Sequence, residues 1–544
     1  MMMNPISEVF AADLIGFPIL SLLVWLPVAT MILLLVMRND TVARLLTMAS
    51  TVVELALALL VWSKFDGSTA NMQFVEHAGI YQLGVDGVSM LFLPITALLM
   101  IFTVMYSEPA VKSGNQRHYL IAMLGFEACM MGAFSSVDLL LFWIFFAAEI
   151  IPSYFLISHF GTGEKRVAVA KTYLAYMVAA SVLVLAGLFM LSGAAGGEAT
   201  FDWVQLMNST IPVSTQTTIF LLLFLGLAIK APLFPFHTWM PKVLEQGPIV
   251  GMSIYLIGVK LGTYAFLRFV IPLLPEASHQ WLWLVVTLAI ISIVYGSMIA
   301  LIQTNLRRLS AYASLAHVGM VMLGMFSLNL VGFQGGLIQM INLGLASAGL
   351  FFVAGFLHTR MGQPEVSGMG GLAQFTPIMG SAFLVIGLAA VGMPGTSGFN
   401  GEHLVMIGAY KMHWMMALAT GVGTFLSAAY FLWFYQRAFL GNVVNPSVRT
   451  MPDLTGSEMI ISGAMLGVIF WLGLATTPFL NTMEGSLRML DERMGHVTGI
   501  VAAPLKGVNA ILLHDVPSAA HPTAPAADQG MPATPAMPAA PTSH

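Results

Sequence analysis

Apolar runs of about membrane-spanning length recur along this chain, separated by short polar segments. Fourteen can be marked out, at 14–37, 42–63, 86–106, 118–135, 137–159, 168–192, 217–238, 250–272, 281–303, 309–328, 334–358, 378–410, 413–440 and 457–480. Each is suited to helix crossing a hydrocarbon layer of about 30 Å. Two are interrupted. The seventh meets Pro232, Pro235 and Pro241 shortly after Lys230, and prolines remove backbone donors and break or kink a helix. The twelfth is overlong and contains MPGTSGFNG (Met393–Gly401), so it reads as two half-helices. The expected fold is therefore an all-α polytopic membrane protein. Ile15–Met37, with no basic region before it and no small-residue cleavage site, reads as a retained first span. Beyond Leu480 a mixed segment leads to Ile500–Leu513, too short to span and read as interfacial. From Asp515 to His544 the chain is rich in Pro, Ala and Ser and is expected to be disordered.

Composition agrees with this pattern: 58% of the 544 residues are hydrophobic and only 8% are charged, against about 25% charged in soluble domains. The Lys and Arg residues are unevenly placed. Odd-numbered loops hold thirteen (Arg38, Arg44, Lys112, Arg117, Lys165, Arg166, Lys171, Lys242, Arg307, Arg308, Arg360, Arg437 and Arg449), and even-numbered loops hold three (Lys64, Arg268 and Lys411). The positive-inside rule then expects both termini outside the cytoplasm. The single cysteine, Cys129, excludes disulfides and multi-cysteine metal or iron–sulfur sites.

The candidate chemistry lies in ionisable residues within the apolar spans, which are expensive there and mark ion paths by default. Glu149 sits in LFWIFFAAEIIPSYFLISHF, and Lys230 sits at about mid-depth before the first break. Closed, such a pair holds both charges; separated, each charge is left alone in an apolar medium, which suits a proton relay. Lys260 lies centrally in GMSIYLIGVKLGTYAFLRF and His317 in LSAYASLAHVGMVMLGMF. Imidazole can both accept and donate a proton near neutrality. Glu402 and His403 follow the second break, where Pro394, Gly395, Gly398 and Gly401 are expected to loosen the helix, and His237 lies inside the first break. Lys230 alone could be a structural ion-pair partner, and His317 alone could cap a buried carbonyl. Glu54 and Glu127, also inside spans, are either hydrogen-bonded structural residues or the ends of side channels. The set Glu149, Lys230, Lys260, His317 and Glu402 is harder to explain as five separate accidents.

The two breaks are five spans apart, and paired interruptions in two halves are a mark of inverted repeats in transporters. Five domains are expected: a three-helix segment at 1–117, a first repeat at 118–272, an inverted second repeat at 281–440, a last span with interfacial segment at 457–514, and the tail at 515–544. Lys230 would then correspond to Glu402. There is no GxGxxG or Walker loop, no nucleophile elbow and no HExxH spacing, so no nucleotide, flavin, metal or cluster is expected in this chain.

The runs DLLLFWIFFAAEIIPSYFLI, IKAPLFPFHTWMP, GVKLGTYAFLRF, NLRRLSAYASLAHVGM and GFNGEHLVMIGAYK together resemble the antiporter-like membrane subunits of proton-pumping NADH:quinone oxidoreductase, respiratory complex I. The likeness is greatest to its chain-M type, the counterpart of mitochondrial subunit four, and covers roughly 80–440, including GVDGVSMLFLPIT around Asp86. It implies fourteen helices, two inverted repeats, Glu149–Lys230 as a coupling pair, Lys260 and His317 as a central axis, and Glu402 as a terminal proton site. It also implies a translocase subunit in a bacterial cytoplasmic (inner) membrane. Sibling membrane chains would be its partners, and flavin, iron–sulfur clusters and quinone would be confined to other subunits. The chain departs from the family pattern at Lys242, Leu244, Gln246, Ala148 and Leu343, the last replacing a family histidine. The alternative expectation is a subunit of a multi-subunit sodium/proton antiporter, which shares this core.

Overall fold

The computed structural model describes residues 6–111, 115–196, 199–362 and 365–498. It divides into two units, 1–502 and 503–544. The second unit, with the expected tail and most of the expected interfacial segment, lies outside the described residues.

The chain folds as helices at all fourteen expected positions. The first four are α1 (Ile19–Val36), α2 (Asp40–Lys64), α3 (Phe92–Met105) and α4 (Gln116–Ser135). The fifth position is split into α5 (Leu139–Ala148) and α6 (Ile150–Phe160) and is followed by α7 (Arg166–Ala194). After the half-helix α8 (Val213–Lys230) come α9 (Trp239–Gln246), α10 (Gly251–Ala265), α11 (Leu282–Leu301), α12 (Leu306–Met325) and α13 (Leu330–Met361). The second interrupted position gives α14 (Pro377–Ala390) and α15 (Ser397–Met412), and α16 (Trp414–Tyr435), α17 (Gly456–Leu474) and α18 (Thr477–Thr498) complete the set. Among the described residues, eleven helices are long and apolar enough to cross a membrane by length and composition. The helices α3 and α14 are apolar but only 14 residues each. The protein is thus a mostly helical, multi-pass membrane protein.

Burial separates an inner from an outer set of helices. The apolar windows of Gly251–Leu273 and Leu330–Met361 are buried throughout, whereas only about a third of each window in α2, α16 and α17 is buried. The outer helices present large apolar side chains such as Trp25, Val182, Phe425 and Leu474 on their free faces, as a lipid solvent requires. α10 packs against α13, and these two form the axis on which α4, α8, α12 and α15 are arranged.

Three features went unseen in the apolar pattern. The first is a small sheet: β1 (Glu8–Phe10) runs parallel to β2 (Met72–Ala78), which turns through Gly79 into antiparallel β3 (Tyr81–Val85). Gly79 takes φ +67°, a left-handed conformation that glycine adopts without strain. The sheet serves the helices, because the Glu76 carboxylate accepts hydrogen bonds from the backbone N–H groups of Leu20 (2.8 Å) and Ser21 (3.0 Å) and so caps α1. The second is α18, where a mixed segment was expected. Gly485 N–H donates to the Gly67 carbonyl (2.8 Å), Ser486 Oγ accepts from Gly87 N–H (3.0 Å) and Asp491 accepts from Leu330 N–H (2.8 Å). Arg493 donates to the Met207 carbonyl (2.9 Å). The third is a π turn at Phe266–Val270 that extends α10.

That turn corrects the loop count. Arg268 is no loop residue: it is 2% exposed, paired with Asp86, and stacked 4.0 Å above Trp203. Lys64 and Lys411, the other two counted in even-numbered loops, lie in the last turns of α2 and α15.

Candidate functional site

The first cluster forms where two helices are interrupted. Pro152 has no N–H to offer the Ala148 carbonyl, and the regular helix of the fifth span is interrupted between α5 and α6, with Glu149 at the junction. α8 ends at Lys230 because Pro232 and Pro235 follow. The chain passes through the short turn Phe236–Thr238 before resuming as α9. Glu149 and Lys230 meet there as a fully buried ion pair. Tyr173 Oη donates to Glu149 Oε1 (3.1 Å) and Ser153 Oγ to Oε2 (3.0 Å). The Lys230 ammonium lies 5.2 Å above the Phe146 ring, and its residue is the last of the half-helix, at the electronegative C-terminal end.

The second cluster centres on Glu402. The break lies at Val391–Thr396, with Gly392 at φ +74° and Gly395 at φ +89°. This corrects the expected interruption at Met393–Gly401: Ser397–Gly401 are already helical, and Glu402 is the sixth residue of α15. Gly398 and Gly401 do not loosen the helix. An added Cβ would overlap the Ala389 carbonyl at the one and Gln339 at the other, so both glycines permit close packing. Gly392 plays a related part, since a Cβ there would collide with the Glu402 carboxylate. That carboxylate accepts hydrogen bonds from Thr424 Oγ1 (2.7 Å) and Gln339 Nε2 (3.4 Å) and lies 3.8 Å from His317 Nδ1. Tyr430 Oη is 3.4 Å from His317 Nε2. Asn342 donates to Gln339 Oε1 (3.4 Å) and accepts from Ser397 Oγ (2.5 Å).

Lys260 is 1% exposed in the centre of α10, and no hydrogen-bond acceptor reaches its ammonium among the described residues. It lies within electrostatic range of His317. His237 is buried in the first break, stacked on Phe234 with Tyr295 edge-on (5.2 Å), and its Nδ1 is unpartnered among the described residues. His403 is half-buried and stacked on Phe399. The geometry therefore brings together Glu149 with Lys230 and His317 with Glu402, sets Lys260 near the second pair, and leaves His403 outside.

The charge pattern of the sequence does not single out the uncharged partners Tyr173, Ser153, Gln339, Asn342, Thr424, Ser397 and Tyr430. One signal existed, since Gln339 and Asn342 are three apart in an otherwise apolar helix and so share a face. Leu343 is buried beside them, and the neutral amide of Asn342 supplies the polar group at this level.

Buried ionisable groups at two helix breaks, inside a bundle with a lipid-facing exterior, define a membrane protein of the ion-translocating class. The chain belongs to the NADH:quinone oxidoreductase/Mrp antiporter membrane family, whose model matches residues 136–427. It is 36% identical over 518 residues to NADH-quinone oxidoreductase subunit M of Rhodobacter capsulatus, covering 90% of this chain and 99% of that one. Among solved structures, a chain of respiratory complex I from Thermus thermophilus with bound NADH superposes with a TM-score of 0.80 at 29% identity, over 88% of this chain and 99% of that one. A chain of the Mrp complex from Dietzia sp. DQ12-45-1b shares the fold, with a TM-score of 0.75 at 20% identity over 90% and 99% of the two chains.

Proposed function

We propose that this chain is the proton-translocating, chain-M-type membrane subunit of an NADH:quinone oxidoreductase. Protons move along Glu149, Lys230, Lys260, His317 and Glu402 while electron transfer takes place in other subunits. The observation that carries this reading is the closed Glu149–Lys230 pair at a double helix interruption. Opening that pair removes the counter-charge of each group in a low-dielectric site, so its two states bind a proton differently. Lys260 and His317 extend the path toward Glu402, where neutral hydroxyl and amide groups hold the carboxylate. His237 is a secondary candidate beside the first break, and His403, stacked on Phe399, is the weaker one.

On this reading the chain comprises the three-helix segment 1–117, the repeats 118–272 and 281–440, and a terminal region 457–514. It lies in a bacterial inner membrane with both termini outside the cytoplasm, and sibling antiporter-like chains are its partners. Redox groups are confined to those other subunits. The sodium/proton antiporter alternative has weaker support: the relative with the higher identity is the oxidoreductase subunit, and the Mrp likeness extends to the fold alone.

Mass spectrometry of the intact purified complex separates the two, since co-purifying flavin and iron–sulfur subunits support the oxidoreductase and a set of small membrane chains alone supports the antiporter. The relay is tested by proton uptake per electron in vesicles reconstituted with Glu149→Gln, with assembly followed on native gels. Pumping is expected to be lost in an assembled complex, and normal pumping there would overturn the assignment.

A further inference from the structure

Two buried carboxyl groups belong to none of this machinery. Glu54 on α2 and Glu127 on α4 are each 0% exposed. The two helices pack against each other, and each carboxyl group lies within electrostatic reach of the other. Among the described residues, no protein donor reaches any of their four oxygens.

Among the described residues, no cation forms an ion pair with either carboxyl group. α1 has no titratable side chain, and neither has α3, whose Thr96 and Thr103 hydroxyls donate to their own helix carbonyls. On α2 itself, Asp40, Arg44 and Lys64 lie at the ends, and Arg44 is paired with Glu108 of the short helix Ser107–Ala110. On α4, Arg117, His118 and Tyr119 lie in the first turn and Cys129 two residues beyond Glu127. α5 carries no titratable residue, and Glu149 at its end is engaged by Lys230; α6 carries Tyr154 and His159. Tyr81 of β3 is bonded to Ser21, while α10 contributes Tyr255, Lys260 and Tyr264.

Two ionised carboxylates about 4 Å apart repel by ~4 kcal/mol even at an effective dielectric of about 20. Buried acceptors without a donor add their own desolvation cost. One proton removes both difficulties: the protonated carboxyl donates its O–H to the other, a strong charge-assisted hydrogen bond, and one negative charge remains. A second feature bears on access. Thr47, Ser50, Thr51 and Glu54 fall at i, i+3, i+4 and i+7 on the buried face of α2, and Thr30 Oγ1 lies 2.8 Å from Ser50 Oγ. This hydroxyl stripe runs about 10 Å from the pair toward the start of α2.

We propose that Glu54 and Glu127 form a second proton-binding site, in which two carboxyl groups share one proton and the α2 hydroxyl stripe is its route of exchange. The site stands whether or not the Glu149–Lys230 pair moves protons. Infrared difference spectroscopy of the assembled, purified complex tests it through the carbonyl stretch of a protonated carboxyl group. The expected result is one such band per chain that shifts in D2O, is lost or displaced in both Glu54→Gln and Glu127→Gln, and vanishes in the double variant. A band unchanged in the double variant overturns the proposal, as does an intensity equal to two protonated groups. So does a band that appears only when sodium is removed, because the pair would then hold a metal cation. If the double variant fails to assemble, Glu54→Asp and Glu127→Asp, which keep the carboxyl, must each displace the same band; a band indifferent to both overturns the shared proton.

Discussion

The two interrupted helices use one device with opposite charge. α8 ends on a lysine, at the electronegative C-terminal end of a half-helix, while α15 carries a glutamate in its second turn, near an electropositive N-terminal end. Their surroundings differ. Lys230 is closed directly onto a carboxylate that two hydroxyls hold in place, whereas Glu402 is held by Thr424 and Gln339 with His317 at 3.8 Å. The first break is a charge pair and the second a hydrogen-bonded network around one charge. A charge pair depends on both partners being ionised, while a network tolerates neutral replacement better.

The largest effect is therefore expected at the first break. Lys230→Ala leaves a buried carboxylate without its cation, a loss that typically costs about 3–5 kcal/mol. Proton uptake per electron in reconstituted vesicles should fall by about tenfold, because the pair can no longer exist as two opposite charges. A smaller loss than in Glu402→Gln would reverse the comparison. Glu402→Gln comes next, since it keeps the side-chain shape and a polar contact with Thr424. It should lower pumping while assembly on native gels stays near normal.

Gly398→Ala follows as a test of packing. Its methyl group would overlap the Ala389 carbonyl, and overpacking of this kind costs about 1–3 kcal/mol. The thermal midpoint of the purified complex should drop, with pumping per assembled complex retained. An unchanged midpoint would show that the second break yields easily. The smallest effect is expected from Tyr173→Phe, which removes one of three contacts to Glu149. With Ser153 and Lys230 still in place, the loss is about 0.5–1.5 kcal/mol, which the same vesicle assay should read as a few-fold decrease in pumping.

The extent to which the site was legible follows from these contacts. Lys230, Lys260, His317 and Glu402 stand out because a charged residue within an apolar run is conspicuous at any depth. Their neutral partners do not, because Tyr173, Thr424 and Tyr430 occur on apolar helices for many reasons and only folding brings them to a carboxylate. Arg268 shows the converse. Near the end of a span its charge reads as belonging to a loop, yet the π turn at Phe266–Val270 places it inside, against Asp86 from 182 positions earlier. The sheet and α18 escaped notice because both are short or mixed in polarity and are held by contacts such as Gly485 to Gly67 that lie far apart in the chain.

The sequence by itself determined the helical, membrane-embedded class, the positions of the spans and the identity of the charged candidates. Each of these follows from local rules: the span length from the thickness of a hydrocarbon layer, the breaks from proline and glycine, and the cost of charge from the apolar surroundings. Tertiary structure alone decided which charges meet. Glu149 and Lys230 are 81 positions apart and Glu402 and His317 are 85 apart in the numbering, and nothing local couples such positions. It also decided that the second break opens at Val391 and closes by Ser397, because Gly398 and Gly401 fit tightly against Ala389 and Gln339 once α13 and α15 have packed. A glycine in sequence is only a permission; the neighbouring helix determines whether it is used for a bend or for a close approach.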